Sequence, residues 1–191
     1  MSPKIFLTGP PGVGKSSVLL KLVEALENRG FQVGGMITRE AREGGVRIGF
    51  KVTDVLTERE GWLATAREPF GPRVGKYGVN LEGLEGIGVQ AITSALQDPK
   101  TKVVVIDEVG RMELLSVAFK TAVRQGIAST KILIGTIHYR ANDQLIREIK
   151  STREVKIITV TKDNRSALHM PLLKEITGQE DLAEDVPTGK T

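Results

Sequence analysis

Residues Gly9-Pro10-Pro11-Gly12-Val13-Gly14-Lys15-Ser16 follow the pattern G-x-x-x-x-G-K-[ST], and the segments on either side restrict what that pattern can be. Before it stands Lys4–Thr8, a short apolar run of strand type. After it, residues 16–28 place Val18, Leu19, Leu22, Val23 and Leu26 at helical spacing, and Gly30 supplies a C-terminal stop. Strand, Gly-rich loop and helix in that order are the setting in which such a loop cradles a polyphosphate. Gly12 and Gly14 permit backbone conformations closed to other residues, so N–H groups can approach phosphate closely. The helix N-terminus adds partial positive charge. Lys15 is expected to bridge the β- and γ-phosphates and the Ser16 hydroxyl to ligate Mg²⁺. The expected nucleotide-binding set runs Gly9, Pro10, Pro11, Gly12, Val13, Gly14, Lys15, Ser16 and Ser17.

Downstream, the pattern alternates. Residues 102–107 (KVVVID), 131–137 (KILIGTI) and 155–160 (VKIITV) are β-branched, nearly continuous apolar runs, as expected of strands covered on both faces. Residues 82–96, 112–128 and 141–150 read as helices between them, the first weakened at its start by Gly83, Gly86 and Gly88. This alternation predicts an α/β protein with a mainly parallel sheet and right-handed crossovers. Residues 33–65 break it. Residues 33–39 and 46–54 flank a Gly44-Gly45 link and read as a hairpin, with residues 61–65 a third short strand. An antiparallel extension of the same sheet is expected there. Residues 68–76, with Pro69, Gly71, Pro72 and Gly75, read as a loop. A single domain over 1–176 and a polar tail over 177–191 are expected. The closing Gly189-Lys190-Thr191 mimics the end of a second phosphate loop, but the first Gly it needs would fall at Glu184, and no helix can follow.

Composition removes several classes. No cysteine is present among the 191 residues, which excludes disulfides, thiol nucleophiles and cysteine-bound metals. With only His138 and His169, a zinc site is not expected. No apolar run is long enough to span a bilayer, and residues 1–8 are too short for an export signal, so a cytoplasmic protein without membrane contact is expected. The net charge of +4 is mild and aromatics make up 4%, which gives no strong case for a nucleic-acid surface. A monomer is expected.

The second chemical constellation is Asp107-Glu108, at the C-terminal end of a buried strand, where ligands gather in open α/β sheets. Asp107 is the expected acidic partner of Mg²⁺. Glu108 beside it can orient and deprotonate a water for attack on the γ-phosphorus. An adjacent Asp-Glu pair therefore points to hydrolysis.

The run Asp107-Glu108-Val109-Gly110-Arg111-Met112-Glu113-Leu114 resembles the D-E-[IV]-G-[KR]-M-E signature of the cancer-related, or THEP-type, nucleoside-triphosphatases. Residues 6–15, Arg47-Ile48-Gly49-Phe50, Val74-Gly75-Lys76-Tyr77, Gly135-Thr136-Ile137 and residues 160–165 match in order as well. The resemblance implies a RecA-like P-loop NTPase fold of three layers, α/β/α. It also implies Mg²⁺-dependent hydrolysis of ATP, GTP and other nucleoside triphosphates to the diphosphate and phosphate. Two departures are conservative: Ser16 stands where Thr is commoner, and Arg111 where Lys is frequent.

Other residues carry two readings each. Arg111 can stabilise charge on the transferring phosphoryl group, as an arginine finger in cis, or pair with Glu108 or Glu113. Asn164 and Arg165 follow the last buried strand. There Arg165 can stack on a base and Asn164 can bond its edge, or Asn164 can cap a helix starting near Arg165. Thr136 can reach the γ-phosphate or serve as an ordinary strand residue. Arg73 and Lys76 can close as a lid or lie solvated. A small-molecule kinase and a nucleotide-driven RNA- or protein-binding module are the alternative functions. The Asp107-Glu108 pair argues against the first.

Overall fold

The computed structural model describes residues 2–68 and 70–178. Among them, β1 (Lys4–Thr8), β2 (Gln32–Glu43), β3 (Val46–Asp54), β4 (Glu60–Thr65), β5 (Arg73–Val74), β6 (Tyr77–Val79), β7 (Thr101–Val109), β8 (Ile132–Ile137) and β9 (Val155–Thr159) form one sheet. Its order is β5-β6-β4-β3-β2-β7-β8-β1-β9. The pairs from β2 to β9 are parallel, and those from β2 out to β5 are antiparallel. Strand β2 is the seam. Residues 32–37 run parallel to β7, and residues 36–43 pair antiparallel with β3.

Alternation along the central strands builds the layers, because successive side chains leave a strand on opposite faces. Ile5 and Leu7 of β1, with Val103 and Val105 of β7, pack with Val18, Leu19, Leu22, Val23 and Leu26 of α1 (Lys15–Glu27). Phe6, Val104 and Ile106 face the other way. The opposite layer holds α2 (Leu81–Gly83), α3 (Gln90–Gln97), α4 (Val117–Ala128) and α5 (Gln144–Ser151), while α6 (His169–Thr177) joins α1.

Four expectations are revised by the fold. The helix expected over 82–96 is wound as a π-helix over Leu84–Val89 before α3, where Gly88 lies so flat on the sheet that a Cβ would fall 2.8 Å from Met36 Sδ. The helix expected over 112–128 is interrupted. A 3₁₀ turn at Glu113–Leu115 comes first, and α4 starts after Ser116, whose hydroxyl accepts from Phe119 N–H at 3.0 Å. The loop expected over 68–76 contains β5, paired with β6, so the antiparallel strands run on to Val79. No helix starts near Arg165; residues 162–168 are turns and α6 begins at His169. Pro69 and the tail beyond Gly178, including Gly189-Lys190-Thr191, lie outside the described residues.

Candidate active site

The loop between β1 and α1 is shaped by its glycines. Gly9 has φ 147°, and a Cβ there would fall 2.7 Å from the Val160 carbonyl oxygen. Gly14, at φ 109°, is the N-cap of α1 and offers no capping side chain, so the first-turn N–H groups stay available to an anion. Val13 is buried beneath the loop. Pro11, Gly12, Lys15 and Ser16 line a cleft of about 340 Å³, and Asp107, Glu108, Arg111, Glu113 and His138 line it too. Gly9, Pro10, Gly14 and Ser17 belong to the loop and first helical turn but not to the cleft wall.

Strand β7 delivers the carboxylates. Its ladder to β8 is interrupted between Ile106 and Val109, where the Asp107–Glu108 peptide is cis. Asp107 is 2% exposed and accepts a hydrogen bond from the Thr136 hydroxyl at the end of β8. Burial raises its pKa to about 6, against the Thr136 and Ser16 hydroxyls beside it and the charge of Lys15. Lys15 Nζ lies 3.7 Å from Glu108 Oε2 and donates to the Gly9 carbonyl at 3.3 Å. Burial also pushes Glu108 up, and Lys15 draws it back down. His138 is pushed down by burial and by the nearby Arg111 and Lys15.

Glu113 was not expected among the working residues. It is 4% exposed, and burial raises it to about 8; the nearby Glu108 and Asp107 charges add to that, and the backbone N–H groups of Glu113 and Gly110 oppose it. Burial thus favours its neutral form beside Asp107 and Glu108. Its place in the D-E-V-G-R-M-E run was the available signal.

Remaining candidates are distributed as follows. Arg111 is exposed on the cleft wall and, among the described residues, pairs with neither Glu108 nor Glu113. The Asn164 amide is engaged locally: Oδ1 accepts from Thr161 N–H at 2.9 Å and Nδ2 donates to the Thr159 carbonyl at 3.0 Å. Arg165 packs on the phosphate loop, its Nη1 donating to the Val13 carbonyl at 3.3 Å. Arg73 Nη1 donates to the Lys76 carbonyl, and Lys76 sits over the Tyr77 ring, so neither reaches the cleft wall; Val74 between them does.

The donors beside the loop suit a hard cation. A hydroxyl (Ser16) and a carboxylate (Asp107) lie together, and Mg²⁺ is ordinarily held by one or two such protein oxygens plus phosphate and water. Among the described residues, no group of three or more His, Cys, Asp or Glu could hold a metal ion by itself. No helix among them is long and apolar enough to cross a membrane.

Comparisons with known proteins agree with this geometry. A family described as NTPase matches residues 4–173. Nucleoside-triphosphatase THEP1 of Thermofilum pendens is 49% identical over 178 residues, covering 92% of this chain and 97% of the relative. The cancer-related nucleoside-triphosphatase homolog of Mus musculus is 41% identical, covering 88% and 93%. Among solved structures, a human cancer-related nucleoside triphosphatase superposes with TM-score 0.79 at 36% identity, covering 94% of this chain and all of that one. THEP1 from Aquifex aeolicus gives 0.77 at 29% identity, covering 91% and 98%. With its loop, its buried Asp107 beside a half-buried Glu108 and its sheet order, the chain has the P-loop NTPase fold and belongs to the NTPase family of THEP-type nucleoside-triphosphatases.

Proposed function

We propose that the cleft hydrolyses nucleoside 5'-triphosphates, ATP and GTP among them, to the diphosphate and phosphate with Mg²⁺, and that water is the acceptor. Hydrolysis of nucleoside triphosphates is the activity named for the relatives and carried by the family. The observation that carries the mechanism is the approach of Lys15 to Glu108 at 3.7 Å. It sets the phosphate-binding cation and a candidate base on one wall.

The loop N–H groups and the α1 N-terminus hold the triphosphate. Lys15, now resting on Gly9 and Glu108, is drawn to the β- and γ-phosphates by their greater charge. Ser16 and Asp107 would hold Mg²⁺, which would supply charge neutralisation at the triphosphate. Glu108 orients the attacking water and takes its proton as the oxygen attacks the γ-phosphorus. Thr136 keeps the Asp107 carboxylate fixed. Arg111, free of carboxylate partners among the described residues, stabilises the transferring group. Arg165 braces the loop from the Val13 carbonyl, and Asn164 holds the turn that carries Arg165. The cytosol, where these nucleotides are held, is the proposed compartment.

Phosphate release from ATP, GTP, CTP and UTP, with Mg²⁺ or with EDTA and no added acceptor, tests this. Release from all four that disappears in EDTA is expected. Release that ignores EDTA, or that needs an added acceptor, contradicts it.

A further inference from the structure

Strand β8 ends between the carboxylates and the phosphate loop, because the sheet runs β7-β8-β1. Thr136, near its end, serves Asp107. His138 follows the strand directly. It lines the cleft with Lys15, Ser16, Asp107 and Glu108, and attack by a water that Glu108 prepares gives it no part. All polar atoms of this residue but one are engaged. Its N–H donates to the Val109 carbonyl at 3.1 Å, which ties it to β7, and its carbonyl accepts from Ala141 N–H at 3.3 Å. On the ring, Nδ1 accepts from Arg140 N–H at 3.2 Å.

The remaining atom is Nε2. Among the described residues it has no hydrogen-bond partner, and it is not sealed from solvent. A neutral imidazole carries one proton, and the nitrogen that accepts a hydrogen bond is not the one that holds it. The Arg140 N–H on Nδ1 therefore fixes the proton on Nε2. Burial opposes a second proton on the ring, and the charges of Arg111 and Lys15 add to that. The ring thus presents a donor to the cleft, while its basic nitrogen is taken up by the Arg140 backbone. A proton from an attacking water has no place on it, which leaves that task to Glu108.

We propose that His138 donates its Nε2–H to a γ-phosphate oxygen, and that this bond lets the cleft tell a nucleoside triphosphate from the diphosphate it becomes. This rests on the placement of the γ-phosphate at Asp107 and Glu108. A hydrogen bond to an ionised oxygen is about twice as strong as one between neutral groups. A ring already fixed through Nδ1 and the backbone loses little freedom in making it. The negative charge of the phosphate holds the imidazole proton more firmly, so Nε2 stays a donor throughout binding. Once the γ-phosphoryl group has left, the diphosphate has no oxygen at this place. The bond is then lost, and the product is held less firmly than the substrate.

The test uses NMR of the full chain labelled with ¹⁵N-histidine. His138 and His169 are its only histidines, so two rings are seen and His138→Gln shows which signals belong to His138. Without nucleotide, the His138 ring should carry its proton on Nε2 and none on Nδ1. A saturating non-hydrolysable ATP analogue with Mg²⁺ should move the Nε2 signal, and ADP with Mg²⁺ should leave it in place. In titrations, His138→Ala should bind the analogue roughly tenfold or more weakly while its affinity for ADP stays within a few-fold of the parent. His138→Gln, whose amide can donate, should recover part of that loss. A proton on Nδ1, an Nε2 signal that answers equally to both nucleotides, or parental discrimination in His138→Ala overturns the proposal. The two parent spectra decide even where a variant folds poorly. An analogue that leaves the Gly12 and Gly14 amides unmoved instead refutes the placement of the triphosphate, a failure visible without the histidine signals.

Discussion

On β7 and just beyond it the acidic residues are drawn away from solvent: Asp107 is 2% exposed and Glu113 4%, with the Glu108 side chain half-buried between them in sequence. On β2, β3 and β4, charged side chains stand in the open and several pair with one another, as Arg42 and Arg47 do with Glu40, and Lys51 with Glu60. Burial penalises the charged form of an acid and amplifies every neighbouring charge, which is what a site for phosphoryl transfer requires. Exposure screens charge, so the pairs of the extension contribute little stability and instead hold strands and rings in register. The parallel half is thus built for reactivity, and the antiparallel half for shape.

Lys15→Ala probes the reactive half hardest. Losing charge-assisted bonds to two phosphates, at about 1.5–3 kcal/mol each, should reduce kcat/KM by roughly 10²–10⁴-fold. Steady-state kinetics and nucleotide titration check this, and near-normal values would remove Lys15 from the phosphates. Arg111→Ala comes next. Loss of one such bond should lower kcat by about 10–100-fold while nucleotide affinity moves less. Unchanged turnover would leave Arg111 without a role in the reaction.

Glu113→Gln separates burial from charge. The ordinary pKa of 4.5 is raised to about 8 in the folded chain. Below 4.5 both folded and unfolded chains hold this proton. Between there and about 8 only the folded chain does, so the contribution of this group to stability falls as pH rises, and it levels off above 8. The Gln variant should lack that component. In EDTA, the denaturation midpoint of the parent should drop from pH 5 to pH 8 by more than that of the variant; parallel profiles would mean that Glu113 is ionised.

The extension offers the smallest effect. Lys51→Ala should cost about 0.2–1 kcal/mol by denaturant unfolding, a difference erased by salt, because the pair it breaks with Glu60 is exposed on both sides. A loss of several kcal/mol would show that charge in the extension is structural after all.

The same division explains how much the sequence disclosed. The parallel half was legible because its determinants are local: continuous apolar runs, a Gly-rich loop and an amphipathic helix after it. Lys15, Ser16, Asp107 and Glu108 could be picked out by position and do meet at one cleft. Strands β5 and β6 were hidden, since strands this short are held by pairing with β4 rather than by any pattern of their own. Leu114 and Leu115 read as helix because the break depends on the Ser116 cap. Glu113 escaped because a glutamate is ordinarily expected in solvent, and only its neighbours in space decide otherwise. The hold of Arg165 on the Val13 carbonyl was hidden because it joins segments far apart in the chain.

The central claim, that Glu108 prepares the attacking water at a site otherwise built to hold the triphosphate, is tested most directly by Glu108→Gln. Phosphate release in a single turnover should fall by about 10²–10⁴-fold, the range of a lost general base, while Mg²⁺-nucleotide affinity stays within a few-fold of the parent. Release at the parental rate with affinity intact would contradict the account.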